Sequence, residues 1–289
     1  MLPLPNAIMR LFLIRHGETV DNVASLYAGS RDSALTNHGV LQCRRLAEHL
    51  SSKLSSVSSS AASSSAAPVV HLFSSNLQRA VQTAEAIRDA LEVKPELQQL
   101  VELREKDFGS GEGQSFATGA KGRDQRPHVG AETAQAMRAR ADTFLEDHLL
   151  PLLVPSTGES GKTSVVVVAH GLILSTLFKR LCEHVSAGSI TLAPEATASG
   201  HLFPTNSAKS DVVVLPSWSN TGYLEATLTP TSPRDWASVK MHVCRANSTD
   251  HLKGLRKTRG GIGSARFDEK QKTMESFFTK KRKRTDAAE

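Results

Sequence analysis

The chain has 289 residues, 39% hydrophobic, 22% charged and 5% aromatic, a composition that supplies a sizeable buried core. No apolar run approaches the roughly 20 residues of a membrane-spanning helix, and Leu11–Ile14 is too short for a secretory leader. The net charge of +6 lies wholly in Asp250–Glu289, where 12 Lys and Arg face 6 Asp and Glu. The rest carries 23 of each, which excludes a basic nucleic-acid-binding body.

Residues 8–14 read as a strand apolar enough to be covered on both faces. Thr36 is suited to cap a helix whose Leu41, Leu46, Ala47 and Leu50 recur at helical spacing. Residues 51–67, with ten serines, read as a low-complexity loop. Val69–Phe73 reads as a second strand. A helix over 76–91 follows, with Asn76 as cap and Leu77, Ala80, Val81, Ala84 and Ile87 on one face. Another spans about 131–150, with Ala136, Met137, Ala141, Phe144 and Leu145 inward. Ser164–Ala169, four consecutive valines within it, predicts a central parallel strand, and a helix over about 172–183 follows. Residues 186–210 look like a long insertion, and Val212–Leu215 and Tyr223–Leu228 like the last two strands. Strands alternating with helices predict a layered α/β domain over 1–245 and a flexible tail over 246–289. Cys43, Cys182 and Cys244 have neither disulfide-framework nor zinc-ligand spacing and read as inert thiols. An intracellular location, cytosolic or nuclear, is expected.

Two histidines share one local setting. His16 and His170, 154 residues apart, each follow a predicted strand directly and each precede a glycine. Ligands of open α/β sheets bind beyond the carboxyl ends of the strands, so both imidazoles can meet one ligand. Arg15 stands beside His16, and Arg79 lies near the start of the helix after the second strand. Guanidinium forks match phosphate oxygens, and a neutral imidazole is a capable nucleophile near pH 7. The set therefore reads as a phosphoryl-transfer site. His16 is the expected nucleophile. Arg15, Arg79 and His170 would hold the non-bridging oxygens, and Gly17 and Gly171 would leave room for close approach. A carboxyl is needed to protonate the leaving oxygen and then activate water. Glu102, Glu105 and Glu112, in one Gly-rich stretch, are equal candidates by position.

These segments resemble the histidine phosphatase superfamily, also called phosphoglycerate mutase-like. Its Arg-His-Gly-Glu-Thr stands as Arg15–Thr19, with Asn22 where the family places an Asn. Its Ser-x-Leu-x-Arg-Ala-x-Gln-Thr-Ala is Ser75–Ala84, its Leu-Arg-Glu-x-x-Phe-Gly block begins at Leu103, and its second His block is Ala169-His170-Gly171. Four blocks in family order over about 8–230 form a specific signature. The resemblance implies a three-layer α/β/α fold with a mainly parallel sheet, a phosphohistidine intermediate and no required metal or other cofactor. It selects Glu105 as acid and base beside His16 and His170, and Arg15, Arg79, Asn22 and Gly171 as phosphate-binding residues. Family mutases carry Tyr-Gly after the catalytic Glu and an Arg-Arg pair downstream. Here Phe108-Gly109 stands instead, and Lys121, Arg123 and Arg126 read as a solvated loop. Gly130–Thr133 resembles the phosphatase branch. Hydrolysis of a small phosphorylated metabolite, a sugar phosphate or bisphosphate for instance, is therefore expected over mutase-type transfer or a non-catalytic scaffold.

In the tail, Gln271, Met274, Phe277 and Phe278 resemble the motif with which partners dock on the replicative sliding clamp. One helical turn would gather Met274, Phe277 and Phe278 on one side as an apolar plug. Lys280–Arg284 reads as a nuclear-localisation run or a nucleic-acid-attracting patch.

Overall fold

A computed structural model describes residues 8–55, 69–116, 128–153, 163–198, 218–257 and 261–268. The expected tail motif at 271–278, the basic run at 280–284, the strand at Val212–Leu215 and the basic residues at 121, 123 and 126 lie outside these.

The strands are β1 (Met9–Arg15), β2 (Val69–Ser75), β3 (Leu97–Leu100), β4 (Thr163–Ala169), β5 (Ile190–Leu192), β6 (Tyr223–Pro230) and β7 (Val239–Ser248). They form one sheet in the order β3-β2-β4-β1-β6-β7-β5. Pairing is parallel except on the two sides of β6, so six strands run one way and β6 opposes them. The sequence of β1 and β4 explains their central place. Leu11, Leu13, Val165 and Val167 enter one core, while Phe12, Ile14, Val166 and Val168 enter the other. Both faces are covered, so the apolar runs need no alternation. Each such side chain contributes roughly 1.5–3 kcal/mol on burial.

Helices α2 (Asn37–Ser55) and α3 (Gln78–Ala90) supply the second core, and α4 (Ala134–Phe144) and α5 (Gly171–His184) the first. The outcome is the expected three-layer arrangement. Two short helices, α1 (Val20–Ala24) and α6 (Pro194–Ala198), complete the set used below. Thr36 caps α2 as expected, its hydroxyl accepting from the Gly39 amide at 2.9 Å.

Several local expectations are corrected. Helix α2 runs through Ser55, five residues into the supposed loop, because Leu54 is buried in the core below it. Leu41 and Ala136 are exposed rather than inward. Helix α3 starts after Leu77 without a side-chain cap, and the Asn76 carboxamide instead accepts from Arg104 Nε at 2.6 Å. The first part of the supposed insertion forms β5 and α6, which extend the sheet beside β7 and bury Ala196. Strand β7 continues to Ser248, past the boundary at 246. Beyond it His251 is buried, and residues 261–268 lie along the start of α2 through the Thr36–Arg266 bridge.

Candidate active site

Strands β1 and β4 are hydrogen-bonded neighbours in a register that pairs Arg15 with Ala169. The next residue of each is therefore a histidine at the same sheet edge. The His16 and His170 ring centroids are 5.0 Å apart. Strand β2 flanks β4 on its other side, and α3 brings Arg79 back to the same edge. The expected convergence of His16, His170, Arg15 and Arg79 is what the topology builds.

Each group is fixed by named partners. The His16 Nδ1 lies 2.7 Å from the Gly17 carbonyl. A carbonyl can only accept, so Nδ1 carries the proton and Nε2 holds the lone pair. The Arg79 Nε donates to His170 Nδ1 at 3.2 Å. A guanidinium can only donate, so His170 carries its proton on Nε2. That Nε2 is buried and has no partner among the described residues, and neither has the Arg15 Nε. Unmet buried donors are costly, and two beside one histidine pair mark the place of an anion. The Arg79 Nη1 and Nη2 donate to the Arg31 and Gly29 carbonyls at 2.6 and 2.7 Å. Three of its five N–H groups are thus spent and two remain. Arg15 Nη1 donates to the Trp218 carbonyl.

Electrostatics keep both imidazoles neutral. Burial first, then Arg79, holds the pKa of each well below the ordinary value, with Arg15 adding to both. Burial also lowers Arg79 to about 10, offset by Glu105, Asp32 and Asp21, so it stays cationic at pH 7.

The three carboxylates separate cleanly. Glu105 alone lines the cleft that His16, Arg15 and Arg79 also line, a space of about 390 Å³. Its oxygens accept from the Leu172 and Ile173 amides at the start of α5, both at 3.2 Å, and from Lys106 at 2.9 Å. Glu112 instead staples two loops, accepting from the Ser30 amide and hydroxyl at 2.6 and 2.9 Å. Near Glu102 the contact is to its backbone. Arg140 donates to the Glu102 carbonyl while forking onto Glu132, and so holds the turn that carries Glu105.

Asn22 and Gly171, the residues expected to bind phosphate, both line the cleft. Asn22 also closes a capping box with Thr19 on α1, and its oxygen accepts from Asn220 at 3.0 Å. The expectation for Gly17 is corrected. Its amide donates to Thr83, and a Cβ there would meet Cys43 Sγ at 2.6 Å and the Gly39 carbonyl at 2.9 Å. Glycine at 17 thus permits β1 to pack on α2 rather than to approach a ligand. His170 has zero exposure and stands directly beside the lining residue His16.

Sequence reasoning missed Trp218, Asn220 and the wall made by Tyr27, Phe108 and Phe116. Trp218 acts through a carbonyl, which no side-chain pattern reveals. The Asn220 side chain donates to the His16 carbonyl at 3.1 Å, which steadies the end of β1. Among the described residues, no three His, Cys, Asp or Glu are grouped to hold a metal, and no helix is long and apolar enough to cross a membrane.

Comparison with known proteins accords with this geometry. Residues 11–192 match the model of the histidine phosphatase superfamily, branch 1. A probable phosphatase of Schizosaccharomyces pombe is 31% identical over 272 residues, 93% of this chain and 79% of its own length. A probable phosphoglycerate mutase of Proteus mirabilis is 32% identical over 187 residues, 59% of this chain and 75% of its own. In fold, the chain is similar to a mycobacterial glucosyl-3-phosphoglycerate phosphatase, at a TM-score of 0.55 and 20% identity over 83% of this chain and 99% of that one. With the sheet, the converging motif residues and these matches together, the chain belongs to the histidine phosphatase superfamily and is a histidine phosphatase.

Proposed function

We propose that the enzyme hydrolyses a small phosphorylated metabolite through a phosphohistidine on Nε2 of His16. The single observation that carries this reading is the pair of opposite tautomers. Gly17 leaves His16 a lone pair at Nε2, and Arg79 leaves His170 an N–H at Nε2. One can attack phosphorus while the other donates to a phosphoryl oxygen. Arg15 Nε and the two remaining N–H groups of Arg79 supply further donors, and their charge offsets that of the transferring group. Nε2 attacks, the N–P bond forms, and the bond from phosphorus to the leaving oxygen breaks. The Glu105 carboxyl gives that oxygen its proton. Water then attacks phosphorus and passes a proton to the Glu105 carboxylate. The N–P bond breaks, and the electron pair returns to Nε2. Asn22 and Gly171 complete the rim of the phosphate end. Phosphatase over mutase is favoured by Phe108-Gly109 and by the absence of an Arg-Arg pair downstream in the sequence.

The test is His16→Ala assayed with p-nitrophenyl phosphate, together with acid and alkali lability of the phosphate trapped on the wild-type protein. Loss of turnover and an acid-labile, alkali-stable adduct absent from the variant are expected. Unchanged turnover removes His16 from the nucleophile's role.

We also propose clamp docking through Gln271, Met274, Phe277 and Phe278, which is supported by the sequence of the tail alone. A peptide of residues 265–285 should bind the clamp and lose binding when Phe277 and Phe278 become Ala. Failure of the unaltered peptide to bind ends that reading.

A further inference from the structure

The cleft has two chemically distinct ends. Its volume of about 390 Å³ falls within the range of pockets that hold a whole small molecule. The phosphate end takes both arginines that line the cleft, Arg15 and Arg79. The apolar part of the lining is Leu26, Tyr27, Phe108, Phe116, Leu172 and Trp218.

The aromatic part of that wall is prebuilt. Tyr27 packs on Phe108 with ring centroids 4.5 Å apart and on Phe116 at 5.7 Å. Backbone bonds hold the two chain segments together. Tyr27 donates to Gln114 at 2.9 Å, Gly113 donates to Tyr27 at 2.8 Å, and Phe116 donates to Ser25 at 3.0 Å. Gly113 has φ +79, a backbone conformation that side chains rarely adopt, so this ladder favours glycine at its turn. Phe116 and Leu172 are each 44% exposed, which leaves apolar surface facing water at the mouth. Trp218 spends its indole N–H on Ser175 at 3.0 Å and offers the cleft an apolar body. Lys106 stands over the Phe108 ring at 5.6 Å and is not one of the residues lining the cleft.

We infer that the preferred substrate carries its phosphate on an aromatic or comparably flat apolar group, seated against Tyr27, Phe108 and Phe116. The inference rests on the phosphatase reading above and names the substrate class of that same site. A leaving group with its own carboxylate or second phosphate would meet no third cation among the described lining residues. Burying that charge unpaired is expensive. A flat apolar group would cover the exposed rings and place its bridging oxygen beside Glu105.

The test compares kcat/KM for 2-phenylethyl phosphate, ethyl phosphate and 3-phosphoglycerate on the full chain. All three leave as alcohols, so the comparison reports binding of the leaving group more than its basicity. The phenylethyl ester is expected to exceed the ethyl ester by roughly ten-fold, the scale of one aromatic contact with its buried area. Phe108→Ala and the exposed-site variant Phe116→Ala should each draw that ratio toward one, chiefly through KM. The ratio is internal to each protein, so partial loss of folded enzyme does not mimic the effect. A wild-type ratio near one, a ratio unmoved in both variants, or faster turnover of 3-phosphoglycerate than of either ester overturns the inference. Turnover of no ester, p-nitrophenyl phosphate included, strikes instead at the phosphatase reading and takes the inference with it.

Discussion

The floor of the cleft stands at the carboxyl ends of β1 and β4, whereas its mouth is assembled from the loops 25–30 and 105–116. In the floor, the Arg15–Ala169 register fixes the two histidines, and Arg79 reaches His170, Gly29 and Arg31 at once. Positions there follow from sheet pairing and change little without loss of the fold. In the mouth, the backbone ladder of Tyr27 and Gly113 and the Glu112 staple set the aromatic wall. Such loops can be rebuilt without disturbing the sheet. Chemistry is thereby kept in the rigid part and selectivity in the adjustable part. The predictions below test that division.

The largest effect is expected where floor and mouth meet. Glu105→Gln keeps the size of the side chain and an acceptor for the α5 amides, but removes the transferable proton. Turnover of alkyl phosphates should fall by about 10²–10⁴-fold, the usual worth of general acid–base catalysis. A p-nitrophenyl ester, whose leaving group needs no proton, should suffer far less in its first step. Equal slowing of both esters in single-turnover assays would contradict the acid role. Next comes Arg79→Lys. The lysine keeps a charge but loses the fork, so kcat/KM should fall by about 10²–10³-fold. The carbonyls of Gly29 and Arg31 also lose their donors, so the urea midpoint should drop with it. A variant as active as the parent would show that charge alone, without the fork, suffices.

Glu112→Ala probes the mouth by itself. It leaves the Ser30 amide and hydroxyl without their acceptor, a loss of roughly 1–3 kcal/mol of stability. Because Phe108 sits four residues before Glu112 and packs on Tyr27, KM should rise several-fold for aromatic esters while kcat holds within about two-fold. A fall in kcat with unchanged KM would mean that the staple supports the floor instead.

The same division explains what the sequence disclosed. The floor was legible because its side chains carry the chemistry and because both strands are plain apolar runs. The central strands followed from their continuous apolar runs, and the helices around them from their periodicity. Among the carboxylates, position could not separate Glu102, Glu105 and Glu112; the family register did, and the structure assigns Glu112 a different task. Edge strands were harder. Strand β3, with Gln98 and Gln99 exposed, and the three-residue β5 carry too little hydrophobic pattern. Strand β7 does alternate, with Val239, Met241 and Val243 buried between Lys240 and His242, so its signal was present. The aromatic wall escaped because its rings come from two distant loops with no shared period.

The smallest effect concerns stability rather than turnover, and it lies behind the floor. The Thr221 hydroxyl donates to the Asn220 carbonyl at 2.7 Å, so at 2.9 Å from His251 Nε2 it must accept. The proton of His251 is then on Nε2, and the bare Nδ1 is buried with no partner among the described residues. Burial, with repulsion from His49 and partial relief from Asp250, lowers its pKa to about 4. The unfolded chain binds this proton near the ordinary value of about 6.5. Between the two values the unfolded state holds more protons, so stability rises with pH there and is lost as pH falls from about 6.5 toward 4. The lowered His16 and His170 act in the same direction. His251→Gln should therefore lower Tm modestly at pH 7.5, where a buried hydrogen bond is disturbed. Between pH 6.5 and 4.5 it should flatten the decline of stability by up to one proton's worth, about 1.4 kcal/mol per pH unit. Urea titrations of both proteins at several pH values measure that slope. Parallel curves would show that His251 does not take up the proton, and would put the acid sensitivity with the other histidines of lowered pKa, His16, His49, His71 and His170.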